Sequence, residues 1–161
     1  MDLCMRSIFE RGTFKYLEFF VVEKNSTVLE TFAYYEKIQK EFPQVKVVRW
    51  EREFNYSAIN NFGASFAKGE YLLLLNNDTE LLEPDSIREM LGFCQREEVG
   101  IAGARLLYAD DTIQHAGVVV GLGGVAAHVL CKLPRDAEGY MGRLRCVQEI
   151  SAVTAACMMV K

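Results

Sequence analysis

The sequence predicts an α/β domain with a mostly parallel sheet flanked by helices. Three observations point there. Apolar runs of strand length alternate with segments of helical periodicity. The connections between them are short, which favours crossover units and parallel neighbours. The apolar runs are continuous rather than alternating, as strands covered on both faces require. A chain of 161 residues suits one domain, long enough to bury about two-thirds of its unfolded surface.

Taken in order, "MDLCMRSIFERG" reads as a short helix with Leu3, Ile8 and Phe9 on its apolar side and Gly12 closing it. "YLEFFVVE", Tyr16 to Glu23, is a dense run of β-formers and predicts a buried strand. The next segment predicts a helix: Thr27 with Glu30 has the spacing of a capping box, and Val28, Phe32, Tyr35 and Ile38 recur on one face. Pro43 ends it, and "VKVVRW" is the second strand. Tyr56, Ile59, Phe62 and Phe66 form the stripe of another helix, with Gly69 as its expected C-terminal cap. "EYLLLL" is then a strand buried on both faces. Pro84 suits a first helical turn, "DSIREMLGFCQREE" continues as a helix, and "VGIAGARLLY" follows as a strand. After Tyr108 the pattern loosens: "ADDT" reads as a turn, "IQHAGVVVG" as a strand, residues 121–142 as a long glycine-rich loop, and "CVQEISAVTAACMMVK" as a final extended segment.

Composition narrows the function classes. Apolar content of 50% and charge of 25% are ordinary for a globular protein. No apolar run reaches the ~20 residues of a bilayer span, and the N-terminal residues, with Asp2 and no apolar core, do not resemble a secretory signal. The five cysteines (Cys4, Cys94, Cys131, Cys146 and Cys157) are scattered and never form C-x-x-C, so thiols in a reducing compartment are expected. A net charge of −4 argues against a nucleic-acid partner. It also means that a phosphorylated ligand needs a cation or backbone amides to receive it.

That requirement directs attention to "GEYLLLLNNDTE". Ligands of open parallel sheets bind beyond the carboxyl ends of the strands. The leucine strand delivers Asn76, Asn77, Asp78, Thr79 and Glu80 to that place. A carboxylate there is a hard oxygen donor suited to Mg²⁺ or Mn²⁺, whose other positions phosphate oxygens can fill. The competing reading is a turn and helix start with Asp78 or Thr79 as the cap.

Three stretches in order, "FFVVEKNSTVLETFAYYEKIQ", "FNYSAINNFGASFAKGEYLLLLNNDTE" and "AVTAACMMVK", resemble the nucleotide-sugar half of family 2 glycosyltransferases, through nearly the whole chain. The resemblance implies a GT-A-like (Rossmann-like) fold: a nucleotide-binding α/β core over residues 1–108 and the start of an acceptor-side region over 109–161, within a single domain. It implies that "NND" stands for the family's D-x-D-type motif, with Asp78 the metal ligand and Asn76 and Asn77 beside the donor. Glu23, followed by Asn25 and Ser26, matches the acidic residue that contacts the base or ribose. Asn61 in N-x-G-x-x-x-A-x-G is a further donor contact, while Gly63 and Gly69 serve packing and capping. The activity implied is metal-dependent (Mn²⁺ or Mg²⁺), inverting transfer from a UDP-, dTDP- or GDP-linked sugar to a saccharide or lipid-linked acceptor. The expected setting is bacterial surface-polysaccharide assembly, cytoplasmic or at the inner membrane face through other parts of a full-length protein. Against the family's pattern, the first central strand and the C-terminal part, with the catalytic base expected beyond Lys161, are missing. A chain without that strand is expected to dimerise as a homodimer, exchange segments or leave a gap. The second function class is a non-catalytic nucleotide-sugar-binding module, or a fragment without turnover of its own.

Other signals are weaker. "GLGG" lacks the spacing of a dinucleotide cradle. His115 reads as a hydrogen-bonded structural histidine rather than a substrate contact; His128 is unconstrained, and the two make no zinc set. Asp110 and Asp111 read as turn residues. Ser57 and Ser151 lack a nucleophile elbow. Lys68 and Arg49 read as cations of a solvated face, with steadying phosphates the alternative. An aspartyl-phosphate mechanism fails because Asn76 stands where its nucleophile would be.

Overall fold

A computed structural model describes residues 1–161. The elements in order are α1 (Asp2–Arg6), β1 (Phe19–Glu23), α2 (Leu29–Glu41), β2 (Val45–Arg49), α3 (Tyr56–Ala64), β3 (Leu72–Leu75), α4 (Ser86–Cys94), β4 (Ile101–Gly103), β5 (Leu106–Leu107), β6 (Ile113–His115), β7 (Val118–Val120), β8 (Ala126–His128) and β9 (Cys157–Val160). The α/β class is as expected. The chain divides into two compact units, Phe14–Leu72 and Met1–Thr13 with Leu73–Lys161. No helix is long and apolar enough to cross a membrane.

In the smaller unit, β1 and β2 pair in parallel, from Phe19 opposite Val45 to Glu23 opposite Arg49, with α2 as the crossover. Gln39 ties α2 to β2: its Oε1 accepts from the Val47 amide at 3.1 Å, while its Nε2 donates to the Tyr35 carbonyl of its own helix at 3.2 Å. The expected capping box does not form. Val28 is the N-cap and no side chain caps the helix, which places Thr27 one residue too early and Glu30 one residue too close to reach the free amides. The helical stripe is only partly buried, since Ile38 is fully inside while Val28 is 54% exposed. Helix α3 starts as the physics of caps requires, with Asn55 Oδ1 accepting from the Ala58 amide at 2.9 Å. Its Phe62 meets Trp50 edge-on, with ring centroids 5.3 Å apart. Gly63 is where α3 closes on β1: a Cβ there would lie 2.8 Å from Val22 Cγ2. The helix stops at Ala64 with Ser65 as its cap, so Gly69 is not the cap expected of it.

The larger unit contains a three-stranded sheet ordered β3–β9–β4, with β9 antiparallel to β4, and two antiparallel pairs, β5–β6 and β7–β8. Parallel pairing of the kind expected throughout is therefore seen in β1–β2, while these later pairs run antiparallel. The physical reason is connection length: β5 to β6 and β7 to β8 turn back within five residues, too short for a crossover. The four leucines of β3 are half-buried rather than buried on both faces. "VGIAGARLLY" is two short strands, β4 and β5, and "IQHAGVVVG" is interrupted at Gly117, whose φ of +113° separates β6 from β7. The segment 121–142 is not a featureless loop. It holds the β7–β8 hairpin turn, closed by the Gly121 amide on the Val125 carbonyl at 2.8 Å, then β8 and the start of a kinked 3₁₀ segment, Tyr140–Arg145. Pro84 precedes the N-cap of α4, Asp85, instead of occupying its first turn.

The N-terminal helix also differs from expectation. After α1 the chain widens into a π-helical turn, Ser7–Arg11, which rotates the buried face. Cys4, Met5, Ser7 and Ile8 are buried, whereas Leu3 is 58% exposed. The core of this unit gathers Met5, Ile8, Ile87, Met90, Cys94, Ile113 and Met159.

Candidate functional site

The strand-end cluster belongs to the larger unit, and its position is set by backbone and by the N-terminal helix. Asn76 donates its amide to the Ala156 carbonyl at 2.9 Å, beside β9. Its own carbonyl receives the Thr79 hydroxyl at 2.8 Å, closing a turn over Asn77 and Asp78. Cys4 Sγ lies 3.4 Å from Thr79 Oγ1, and Ser7 Oγ accepts the Leu81 amide at 2.9 Å. Both braces are buried side chains of the first helical segment. Burial raises the Cys4 thiol pKa above its usual value, so this brace stays neutral.

Asn76, Asn77 and Asp78 are all exposed. The turn reading is correct for the backbone, yet Asp78 caps no helix. Glu80 is committed to Arg11, whereas the Asp78 carboxylate carries no hydrogen bond or ion pair. No group of three or more His, Cys, Asp or Glu side chains converges on a metal-sized point. What the strand end offers a cation is one exposed carboxylate, a number that suits only a hard ion able to take its other ligands from phosphate and water.

Beside Asn76 lies a cavity of about 280 Å³ lined by Tyr108, Gln114, His115, His128, Cys131 and Thr154 among others. It brings together two histidines that sequence reading kept apart. His115 Nδ1 and His128 Nδ1 are 2.8 Å apart. The Thr154 amide donates to His115 Nε2 at 3.4 Å, which assigns the His115 proton to Nδ1 and makes Nδ1 the donor toward His128. His128 is then left with its proton on Nε2. His115 is 1% exposed, and that burial, followed by the neighbouring His128, pushes its pKa down to about 4. The reading of His115 as a hydrogen-bonded histidine holds, and His128 gains a defined partner.

This pair predicts a pH dependence. Between pH 6.5 and about 4 the unfolded chain takes up a proton at residue 115 that the folded chain refuses. The stability of the neutral pair is complete above pH 6.5 and falls as pH drops through that window, by up to about 1.4 kcal/mol per unit. Urea midpoints measured between pH 7 and 4.5 are expected to fall more steeply for the native chain than for His115→Asn. Equal slopes would remove the assignment.

In the smaller unit, Glu23 is 3% exposed at the end of β1. Its Oε1 accepts the Ser26 amide at 2.6 Å, and its Oε2 lies 3.4 Å from Arg49 Nε. Asn25 supplies the geometry for the first contact. Its φ of +57° is a left-handed conformation that asparagine tolerates, and it turns the chain back on Glu23. Arg49 is therefore an ion-pair partner at this strand end. An open cleft of about 540 Å³ is lined by Arg49, Trp50, Arg52 and Asn61 among others. The Trp50 indole is locked by donating to the Glu53 carbonyl at 3.0 Å, and the Arg52 guanidinium lies 5.7 Å from its ring centroid. The cleft has mixed charge: Glu51 lines it beside the two arginines, and Arg49 is already paired with Glu23. Trp50 and Arg52, which line this cleft, were not singled out from the sequence; the run "VVRWERE", an aromatic among alternating charges at a strand end, carries them. Asp110 is a turn residue, accepting from the Thr112 amide and hydroxyl at 3.1 and 2.7 Å, and these bonds lower its pKa.

The family model for Glycosyl transferase family 2 matches residues 2–119, and the chain belongs to that family. It is 43% identical over 157 residues to the uncharacterized protein y4gI of Sinorhizobium fredii, covering 98% of this chain and 17% of that protein. It is 39% identical over 156 residues to the O-antigen biosynthesis protein RfbC of Myxococcus xanthus, covering 96% of this chain and 12% of that protein. The chain thus spans less than a fifth of either relative's length. No solved structure matches it.

Proposed function

We propose that this chain is the donor-binding part of a glycosyltransferase that moves a sugar from a nucleotide diphosphate to an acceptor hydroxyl with inversion, in the synthesis of a cell-surface polysaccharide. The observation that carries the reading is Asp78, an exposed and unpaired carboxylate held at the end of a strand by Asn76, Thr79 and the buried N-terminal braces. Family membership and the O-antigen biosynthesis for which the Myxococcus xanthus relative is named support the substrate class. Asp78 is assigned to hold Mn²⁺ or Mg²⁺; when bound, such an ion supplies positive charge to the leaving diphosphate. Asn76 and Asn77 are assigned as donor contacts, and Glu23, Asn25 and Asn61 as contacts to the nucleoside. The acceptor hydroxyl loses its proton to a general base and attacks the anomeric carbon as the diphosphate departs from the opposite face, which gives inversion. We place the reaction in the cytoplasm, at the inner membrane face through other parts of a longer protein.

Calorimetry with UDP-, dTDP- and GDP-linked sugars, with and without Mn²⁺, tests the reading. Metal-dependent binding of at least one donor is expected; no binding of any of them would overturn it. Because the chain covers so little of its relatives, a non-catalytic binding module is the second reading. Sugar transfer by the chain to an added saccharide acceptor excludes that alternative.

A further inference from the structure

We infer that the cavity beside Asn76 receives the sugar ring of the donor and selects a neutral sugar, with the His115–His128 pair as the selecting element. The inference rests on the glycosyl-transfer reading and adds to it the class of sugar. At about 280 Å³ the cavity is at the small end of ligand sites, a size for a single ring rather than a nucleotide. It lies next to Asn76, two residues from the carboxylate assigned to the diphosphate's cation, so a group attached to that diphosphate is the part of the donor nearest to it.

Its walls are polar without being charged. Gln114 and Asn76 offer amides, Thr154 a hydroxyl and Tyr108 an aromatic ring, and no Asp, Glu, Lys or Arg lines the space. Lys132 is not among the lining residues, although its Nζ lies 3.5 Å from the Tyr108 ring centroid. Planar amides, hydroxyls and an aromatic face match the hydroxyls and C–H faces of a sugar. The histidine pair adds a fixed polarity. Thr154 sets the His115 tautomer and His115 sets that of His128, whose Nε2 is left as an N–H donor. A carboxylate on the sugar would enter a space with no cation on its walls, and an ammonium a space with no anion. Both lose solvation without repayment, whereas a hydroxyl exchanges one neutral hydrogen bond for another.

The chain has two histidines, so imidazole ¹H–¹⁵N spectra report on this pair alone. With Mn²⁺ replaced by diamagnetic Mg²⁺, the probes are UDP, UDP-glucose and UDP-glucuronate, and the dTDP and GDP counterparts. The expected result is that a neutral sugar nucleotide shifts the His128 resonances beyond the effect of its bare nucleotide, and binds about tenfold more tightly than the uronate form. His128→Phe is expected to abolish that preference with bare-nucleotide affinity unchanged, and His128→Gln, which keeps an N–H donor, to retain most of it. His128 is at the surface, so both variants are expected to fold. Nucleotide binding with identical histidine spectra for bare and sugar-bearing forms, or equal affinity for neutral and uronate forms, overturns this inference alone. Absence of all nucleotide binding overturns it together with the transferase reading.

Discussion

Asp78→Ala is expected to raise the Kd for a nucleotide-diphosphate sugar about a hundredfold in the presence of Mn²⁺, and to leave the Kd in EDTA unchanged. The cluster contains two carboxylates, and Glu80 is neutralised by Arg11. Asp78 is therefore the unpaired carboxylate at the strand end, and under the proposed function its loss removes the side chain assigned to the cation. Attraction between a divalent ion and a diphosphate is worth several kcal/mol, and each 1.4 kcal/mol is a factor of about ten in Kd. Chelation of the native chain and truncation of the side chain delete the same interaction, so their effects should not add. Asp78→Asn, which keeps an oxygen but no charge, is expected to fall between the two. Calorimetry on the three proteins in Mn²⁺ and in EDTA checks this. A native chain indifferent to Mn²⁺, or an Asp78→Ala variant that still responds to it, would refute the metal assignment.

Gly117→Ala should destabilise the chain by about 3 kcal/mol, measured as a shift in urea midpoint. Two costs combine. The φ of +113° is a conformation that a residue with a Cβ rarely adopts, and the new atom would lie 2.7 Å from Ile150 Cδ1 and 3.3 Å from its Cγ2. Gly117 is buried between β6 and β7, with its carbonyl receiving the Val129 amide at 3.1 Å, so the backbone has little room to relax. Gly121→Ala is the control. Its φ is +88° with open space around it, and only the conformational cost of about 1 kcal/mol is expected. Equal losses in the two variants would show that contact with Ile150 contributes nothing.

Residues whose environment is local were readable from sequence. The leucine run ending in "NNDTE" placed Asp78 at a strand end, because a strand and the turn after it are both encoded within a few positions. "EKNS" likewise put Glu23 at the end of β1. What was misread depended on partners distant in the chain. Thr27 fits a capping box by spacing, yet the helix begins a residue later. Leu3 looks like a core residue, but Cys4, Met5 and Ser7 point inward with the expected Ile8, and Leu3 is left outside. Arg49 is the solvated cation expected, 62% exposed, but its ion pair with Glu23, twenty-six positions earlier and in register on the neighbouring strand, was not readable.

The sequence by itself determined the alternation of elements, the family, and the carboxylate at the end of β3, since hydrophobic period, turn chemistry and short motifs are properties of neighbouring residues. Only the tertiary structure decided that β9 lies between β3 and β4, that the helix carrying Cys4 and Ser7 braces the Asp78 turn, and that His115 and His128 share a proton bridge. Those are contacts across long loops. Whether they form is settled by which surfaces the folded chain can bury together, a quantity that no stretch of sequence carries alone.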